Sequence, residues 1–524
     1  MERLASQFER EESASSRSNR ILALSVAGIL FLTLYPFRFS LHPNPSLNGS
    51  PFLLVSGVKI GGPFDAFLNI SLFVPFGFGL SQKLREQGKS GAAIPLLTMV
   101  AGAFLSYCIE FVQIYIPTRD SGWEDVLTNA AGALVGYFVF ELAGMSILNS
   151  VCKIENRFER FLTLRRALWL VPLYFAIWFI LSAQLQTKSQ LSNWIRDSRL
   201  VIGNDATGDL DRAWMGDVSL VQFWSRALSP NLAIEITAGK STVQAERSLL
   251  ATYLFSGNLP FEDRKKFLPD LTWTPSIPDA LGNGVLNLNG KSWLTSRGDV
   301  SSLIQALQMG KNFSMRVVCT PAQVRGAGGR IISISKQDGL SNLSLLQRDG
   351  NLVFWFRNPL TVRRNQLLFS TIPDVFALNQ PRDILVSYDG SNLSVYIDGK
   401  RDPRRYELTP GAPLAQLIRH IKTSELEGYT YIYYVLVFLP GGVLLGLAAR
   451  RLKTPDVRKI LVSMLAIVMP SVFLEMLLVW ISGRPFSLFN VFLSALFVIA
   501  GIIWINADRQ IEKFEVSAAH TASE

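Results

Sequence analysis

Eight stretches of this chain are apolar over nearly the length a bilayer requires: residues 20–38, 64–82, 92–116, 122–143, 166–184, 429–449, 458–481 and 486–506. A hydrocarbon core about 30 Å thick takes roughly 17–25 residues of helix, so the pattern predicts eight membrane spans. Between the fifth and sixth the period changes. In the polar block over residues 185–428, short runs alternate apolar and polar positions, as a half-buried strand does. Asp-Gly pairs punctuate them: "LSLLQRDGNLVFWF" turns at Asp349-Gly350, and "ILVSYDGSNLSVYIDGK" at Asp389-Gly390 and Asp398-Gly399. Such pairs suit the positive φ angles of type I′ hairpin turns, and many short strands joined this way predict an antiparallel β-sandwich. The expected fold class is a polytopic α-helical membrane bundle carrying an inserted sandwich.

Composition agrees, with 49% hydrophobic and 18% charged residues over 524 positions. A net charge of +10 raises the question of nucleic acid. The basic residues, however, gather beside the apolar stretches, where they orient membrane helices. With the N-terminus inside, the loops Lys83–Lys89, Lys153–Arg166 and Arg450–Lys459 are all cytoplasmic and basic, and the sandwich lies outside. The opposite orientation violates the positive-inside rule at each of these loops, so the basicity reads as topology and no nucleic-acid partner is expected. The first apolar stretch follows a polar segment ending in Arg17, Asn19 and Arg20 and lacks a small-residue cleavage site, which predicts an uncleaved anchor. The resulting organisation is a cytoplasmic tail over 1–19, a five-span domain over 20–184, the sandwich over 198–405, three spans over 429–506 and a second cytoplasmic tail over 507–524. Cys108, Cys152 and Cys319 are far apart and form no zinc or redox motif.

The membrane part repeats itself. Aligning "LFVPFGFGL" (72–80) with "VFLPGGVLL" (437–445) pairs Pro75 with Pro440 and Gly77 with Gly442, an offset of 440 − 75 = 365. Held without a gap, that offset also pairs Ser106 with Ser471, Glu110 with Glu475, Arg119 with Arg484 and Gly136 with Gly501. Matched Pro, Gly, Glu and Arg through three helices imply one three-helix unit present twice, in parallel topology.

The first copy carries polar pairs at helical spacing: Asp65 with Asn69, Glu110 with Gln113, and Asp125 with Asn129. The predicted topology puts all three pairs near the outer leaflet, with Arg119 in the short loop between two of the helices. Polar groups at this depth face the bundle interior. They therefore read in three ways: interhelical hydrogen bonding, a binding site for an anionic or sugar group, or acid–base catalysis by carboxylates with shifted pKa values. No nucleophile motif or metal-ligand set accompanies them. In the second copy the offset places Thr430, Tyr434, Leu478, Asn490 and Ser494 where the first has Asp65, Asn69, Gln113, Asp125 and Asn129. Only the Glu and the Arg persist, which predicts that they form a buried pair holding the helices in each copy.

The segments "DAFLNISLFVPFGF" (65–78) and "SYCIEFVQIYIPTRDSGWEDVLTNAAGALVGY" (106–137), with their spacing, resemble the VanZ-like family. Asp65, Asn69, Pro75, Gly77, Glu110, Gln113, Arg119, Asp125, Asn129 and Gly132 fit its pattern. The family is named for a bacterial membrane protein linked to glycopeptide (teicoplanin) resistance. The resemblance implies a multi-pass protein of the bacterial cytoplasmic membrane that recognises or processes a cell-envelope glycan, glycopeptide or lipid-linked component; it implies no particular reaction. The alternative is a non-catalytic structural or adhesion protein.

Within the polar block, "ATYLFSG" (251–257) and "YDGSNLSVYIDGK" (388–400) resemble strands of the laminin-G-like, concanavalin A-like lectin fold. Residues 200–236 look like that fold's closing strands but precede its opening one, so a circular permutation is expected. The resemblance implies carbohydrate or protein binding, sometimes through calcium; a scaffold or lid over the membrane site is the other reading. "GNDATGD" (203–209) has oxygens that suit calcium and also reads as a turn-rich loop. Trp214, Trp224, Trp293 and Trp355 stand in alternating strands, where core packing is expected of them.

Overall fold

The computed structural model describes residues 19, 21–34, 39, 63–116, 122–240, 246–255, 261–276, 286–324, 328–362, 370–404, 406–417, 426–450 and 456–523. Each predicted span contains a helix: α1 (Ile21–Leu34), α2 (Pro63–Glu86), α3 (Ala93–Gln113), α4 (Trp123–Phe161), α5 (Leu164–Gln186), α6 (Leu426–Ala449), α7 (Asp456–Ser482) and α8 (Leu488–Ser523). Among the described residues, the six from α3 to α8 hold stretches long and apolar enough to cross a membrane. The helix α1 is shorter, and α2 carries Asp65 in its first turn and Lys83 and Arg85 in its last. Two boundaries differ from expectation. The helix α4 continues past residue 143 to Phe161, and α8 runs through the expected tail to Ser523. Hydropathy ends there but helix propensity does not, because Glu, Lys, Arg and Ala sustain a helix as well as Leu does.

Contacts divide the chain into two compact units. One comprises Met1–Leu173, Phe438–Ala466 and Leu496–Glu524; the other comprises Tyr174–Val437 and Ile467–Ala495.

In the first unit α2 and α3 both pack on α4, and Ile29, Phe73, Phe76, Ile109 and Ala133 form a buried cluster. Glycines set how closely the helices approach. A Cβ at Gly77 would overlap the Ala133 carbonyl, and one at Gly136 would overlap the Val74 carbonyl. The second repeat reproduces both contacts: Gly442 lies on the Val498 carbonyl and Gly501 on that of Leu439. Since 133 + 365 = 498 and 74 + 365 = 439, the same backbone atoms meet in both copies. The repeat read from the sequence is thus a repeat of packing. Small residues permit such approach where lipid gives helices no hydrophobic reason to associate.

The second unit holds the sandwich. Its strands are β1 (Arg199–Ile202), β2 (Met215–Trp224), β3 (Leu249–Leu254), β4 (Leu271–Thr274), β5 (Leu286–Asn289), β6 (Trp293–Ser296), β7 (Phe313–Pro321), β8 (Gly328–Ser335), β9 (Ser341–Arg348), β10 (Asn351–Phe356), β11 (Ser370–Ile372), β12 (Arg382–Tyr388), β13 (Asn392–Ile397), β14 (Lys400–Arg401) and β15 (Tyr406–Glu407). One sheet runs β11-β10-β9-β8-β1-β6-β4 and the other β14-β13-β12-β7-β2-β3, with β15 on β13 and β5 on β2. Pairing within the named strands is antiparallel throughout. Leu200, Ile332 and Phe354 from the first sheet share one core cluster with Val221, Val317 and Val386 from the second. The segment 200–236 supplies β1 and β2, both interior strands, so the early strands complete the sheets instead of starting an edge.

The hairpins form at the predicted dipeptides, but only one has the predicted backbone. Asp398 and Gly399 both take positive φ, as type I′ demands. At Asp349-Gly350 only Asp349 does, and at Asp389-Gly390 only Gly390 does. The last of these is a three-residue loop, Asp389 to Ser391, between β12 and β13; its extra residue changes the turn.

In this same unit the sandwich is fastened to helix ends. The Gln190 side chain and the Lys311 ammonium both donate to the Ile481 carbonyl at the end of α7, at 2.7 and 2.9 Å. Gly390, at φ 92°, lies against the Ser482 carbonyl, and Gly411 against that of Tyr429 in α6. The terminal carbonyls of a helix lack intrahelical partners; here the sandwich supplies some.

Candidate functional site

The first copy's polar residues are linked across helices and not within them. Asn69 on α2 donates to Asp125 on α4 at 2.7 Å. Asn129, one turn along α4, donates to Ser106 on α3 at 2.8 Å. The Gly122 backbone N–H, just before α4, donates to Glu110 at 3.0 Å, and Gln113 donates to the Thr33 carbonyl of α1 at 2.8 Å. Thus the expected same-helix pairs form rungs between four helices. Glu110, Gln113 and Asn129 are buried, Asn69 and Asp125 are half-buried, and Asp65 is exposed. Arg119 lies outside the described residues.

The antiparallel run of α3 and α4 puts these rungs in register. Ser106 and Asn129 face each other, and residue numbers that sum to the same value place Asp125 level with Glu110, one turn nearer the α3–α4 loop. The helix N-terminus there favours carboxylates. Asn129 is 4% exposed, and its Oδ1 has no hydrogen-bond partner among the described residues.

The second copy has the same frame with different content. Arg484 holds Glu475 with two bonds of 2.6 Å, and the Ser487 N–H donates to Glu475 at 2.7 Å. Ser487 is the counterpart of Gly122, so both copies hold their Glu by the same backbone amide. Asn490, which stands where the first copy has Asp125, adds a bond to Glu475 at 3.3 Å. Glu475 and Arg484 are both buried. The predicted buried pair is therefore present in the second copy, where its carboxylate is surrounded by donors.

The sequence reading missed Thr33, Ser106 and Gly122 as partners. Ser106 had a signal: it matches Ser471 in the repeat and precedes Glu110 by one turn. Thr33 and Gly122 act through backbone atoms, which no side-chain pattern reveals.

In the sandwich, Trp214, Trp224, Trp293 and Trp355 are all buried, and the Trp214 indole donates to Gln347 at 2.7 Å. They pack the core. The "GNDATGD" loop closes around Asp205, whose carboxylate is buried and meets the guanidinium groups of Arg212, at 3.0 Å, and Arg330, with the Thr207 hydroxyl also donating. Burial alone would push the Asp205 carboxyl up, but the Thr207 hydrogen bond and the two arginines outweigh it and hold the carboxyl below its ordinary range. Two guanidiniums on one carboxylate do not fit a divalent cation, and the loop serves as a turn. Asp383 goes the other way: burial raises its carboxyl although Arg316 pairs with it at 2.5 Å. Among the described residues no group of three or more His, Cys, Asp or Glu is placed to hold a metal ion.

The helices and the inserted sandwich define the class, a multi-pass membrane protein. Residues 4–144 match the family model VanZ/LLP1, so this part of the chain is similar to that family. Among curated proteins, Protein VanZ of Enterococcus faecium is 24% identical over 131 residues, covering 24% of this chain and 74% of that protein. No solved structure matches the chain.

Proposed function

We propose that the first three-helix copy is a recognition site for a cell-envelope glycan, glycopeptide or lipid-linked component at the outer face of a bacterial cytoplasmic membrane. The sandwich, on the same side, contributes carbohydrate or protein contacts; both chain termini are cytoplasmic. One observation carries the reading. The two copies share a frame but differ in content: the first has Asp125 where the second has Asn490, a donor to Glu475, and exposed Asp65 where the second has buried Thr430. The basic loops support the orientation, and the match to the VanZ/LLP1 model supports the envelope setting.

A second reading, a purely structural role for the polar set, is favoured by the bonds Asn69–Asp125, Asn129–Ser106 and Gln113–Thr33, which tie four helices together. Such bonds contribute about 0.6 kcal/mol each in membrane bundles. Single substitution of Asp65, Asn69, Gln113 and Asp125 separates the readings. Recognition predicts altered teicoplanin susceptibility at unchanged protein level. Susceptibility that stays at the wild-type value, or that changes only as protein is lost, sinks it.

A further inference from the structure

Where the sandwich meets the first residue of α6, Leu426, there is a cavity of about 20 Å³. Its polar wall comes from both sheets. Asn358 lies just past β10, Thr361 is in the helical turn Pro359–Val362, Ser370 opens β11, and Tyr406 opens β15. One water needs roughly 10–15 Å³ and two to four polar partners. The volume therefore suits a single water.

Hydrogen-bond accounting around the cavity leaves one donor over. Asn358 is 0% exposed, and its Oδ1 accepts the Thr361 N–H at 2.9 Å, which fixes the orientation of the amide. Its Nδ2 is buried and has no partner among the described residues. The Thr361 hydroxyl is already engaged in both directions, accepting the Asn358 N–H and donating to the Asn358 carbonyl, each at 2.9 Å. Ser370 donates to the Phe354 carbonyl at 3.3 Å and keeps lone pairs with which to accept. The Tyr406 hydroxyl is buried and makes no bond of normal length, although Ser370 and Arg404 lie near enough to influence it.

We propose that this cavity is a binding site for one ordered water. The water accepts from Asn358 Nδ2, donates to Ser370 Oγ and bonds the Tyr406 hydroxyl with its remaining capacity. The chemistry of the wall argues against other occupants. Neither a carboxylate nor a basic side chain lines it, so an ion of either sign lacks a counter-charge. An apolar occupant would strand the Asn358 donor in the interior, and a buried polar group left unbonded is costly. The bridge has a structural consequence. The strand β15 pairs with β13 at only two positions, and the water ties it to the end of β10 in the opposite sheet, beside the start of α6. A bridging water holds two groups nearly as well as a direct hydrogen bond.

The test uses the full-length protein in lipid nanodiscs. A cryo-EM map sharp enough to show ordered waters is expected to carry a peak within hydrogen-bond distance of Asn358 Nδ2 and of at least one of the two hydroxyls. Thermal unfolding supplies the energetic half. Tyr406→Phe removes a bond to the water and lowers the midpoint. In an Asn358→Ala background, where the water has lost its donor, the same change lowers it less, because the two side chains act through one shared molecule. A map without the peak, a Tyr406→Phe midpoint at or above the wild-type value, or shifts that simply add overturns the site. If Asn358→Ala does not fold, the map and Tyr406→Phe alone decide.

Discussion

Arg484 grips Glu475 through both terminal guanidinium nitrogens, in the fork geometry that makes Arg–carboxylate pairs the strongest of charged contacts. The pair is buried, and Ser487 and Asn490 complete the coordination of the carboxylate. A buried pair is costly to assemble and far more costly to break, because removing one partner strands the other charge. Arg484→Met is therefore expected to destabilise the protein by about 3–5 kcal/mol. The double variant Glu475→Met with Arg484→Met recovers most of that loss. Thermal unfolding of detergent-purified protein, followed by size exclusion, reads both. An Arg484→Met protein as stable as the wild type would show that the pair holds nothing.

The packing repeat gives a sharper comparison, because each copy is a control for the other. Gly77 and Gly136 in the first copy, and Gly442 and Gly501 in the second, each lie against a carbonyl that an added Cβ would overlap. Alanine at any of the four must push two helix backbones apart. At Gly28 and Gly428 an added Cβ meets nothing within 4 Å. There alanine gains the helix propensity that glycine lacks, about 1 kcal/mol. Yield and unfolding midpoint should fall for all four packed positions, by similar amounts at matched sites, and hold or rise at the two open ones. A first-copy glycine that tolerates alanine while its second-copy partner does not would break the equivalence.

Much of this was legible in the sequence because the signals were of the right kind. Apolar length located the helices, alternation and Asp-Gly located the hairpins, and one offset located the repeat, whose packing contacts the structure then supplied. What escaped follows from what a sequence encodes weakly. The Glu110–Gly122 and Gln113–Thr33 bonds run to backbone atoms, which carry no residue identity. Helical spacing places Asp125 and Asn129 on one face but does not say that each will reach to a different helix. The turn type at Asp389 depends on loop length, which one residue alters, whereas the Asp349 turn keeps two residues and differs from that at Asp398 in backbone conformation alone. The ends of α4 and α8 moved outward because helix propensity and hydropathy are separate properties. The fold rests on periodicity, and the site rests on partners, which only three dimensions supply.

The Asp205 loop offers a prediction that lies in the sandwich. Its carboxyl is held below the ordinary aspartate value, with burial opposed and outweighed by Thr207, Arg330 and Arg212. The sign follows from linkage. A group whose folded pKa is depressed adds stability that is fully present above its unfolded value, about 3.9, and is lost as pH falls through the lower folded value. Asp205→Asn is therefore expected to lower the unfolding midpoint of the full-length protein at neutral pH. It also leaves Arg330 and Arg212 facing an amide, so the loss includes their stranded charge. On acidification the two proteins should converge, because protonation turns Asp205 into a group much like asparagine. Arg330→Met acts on the other side of the contact and should move the wild-type transition toward higher pH, since the carboxylate then has one guanidinium fewer to hold it ionised. A gap between wild type and Asp205→Asn that stays constant from neutral pH down through the acid limb would mean that the ionised carboxylate contributes nothing, and that the loop is held by its backbone turns alone.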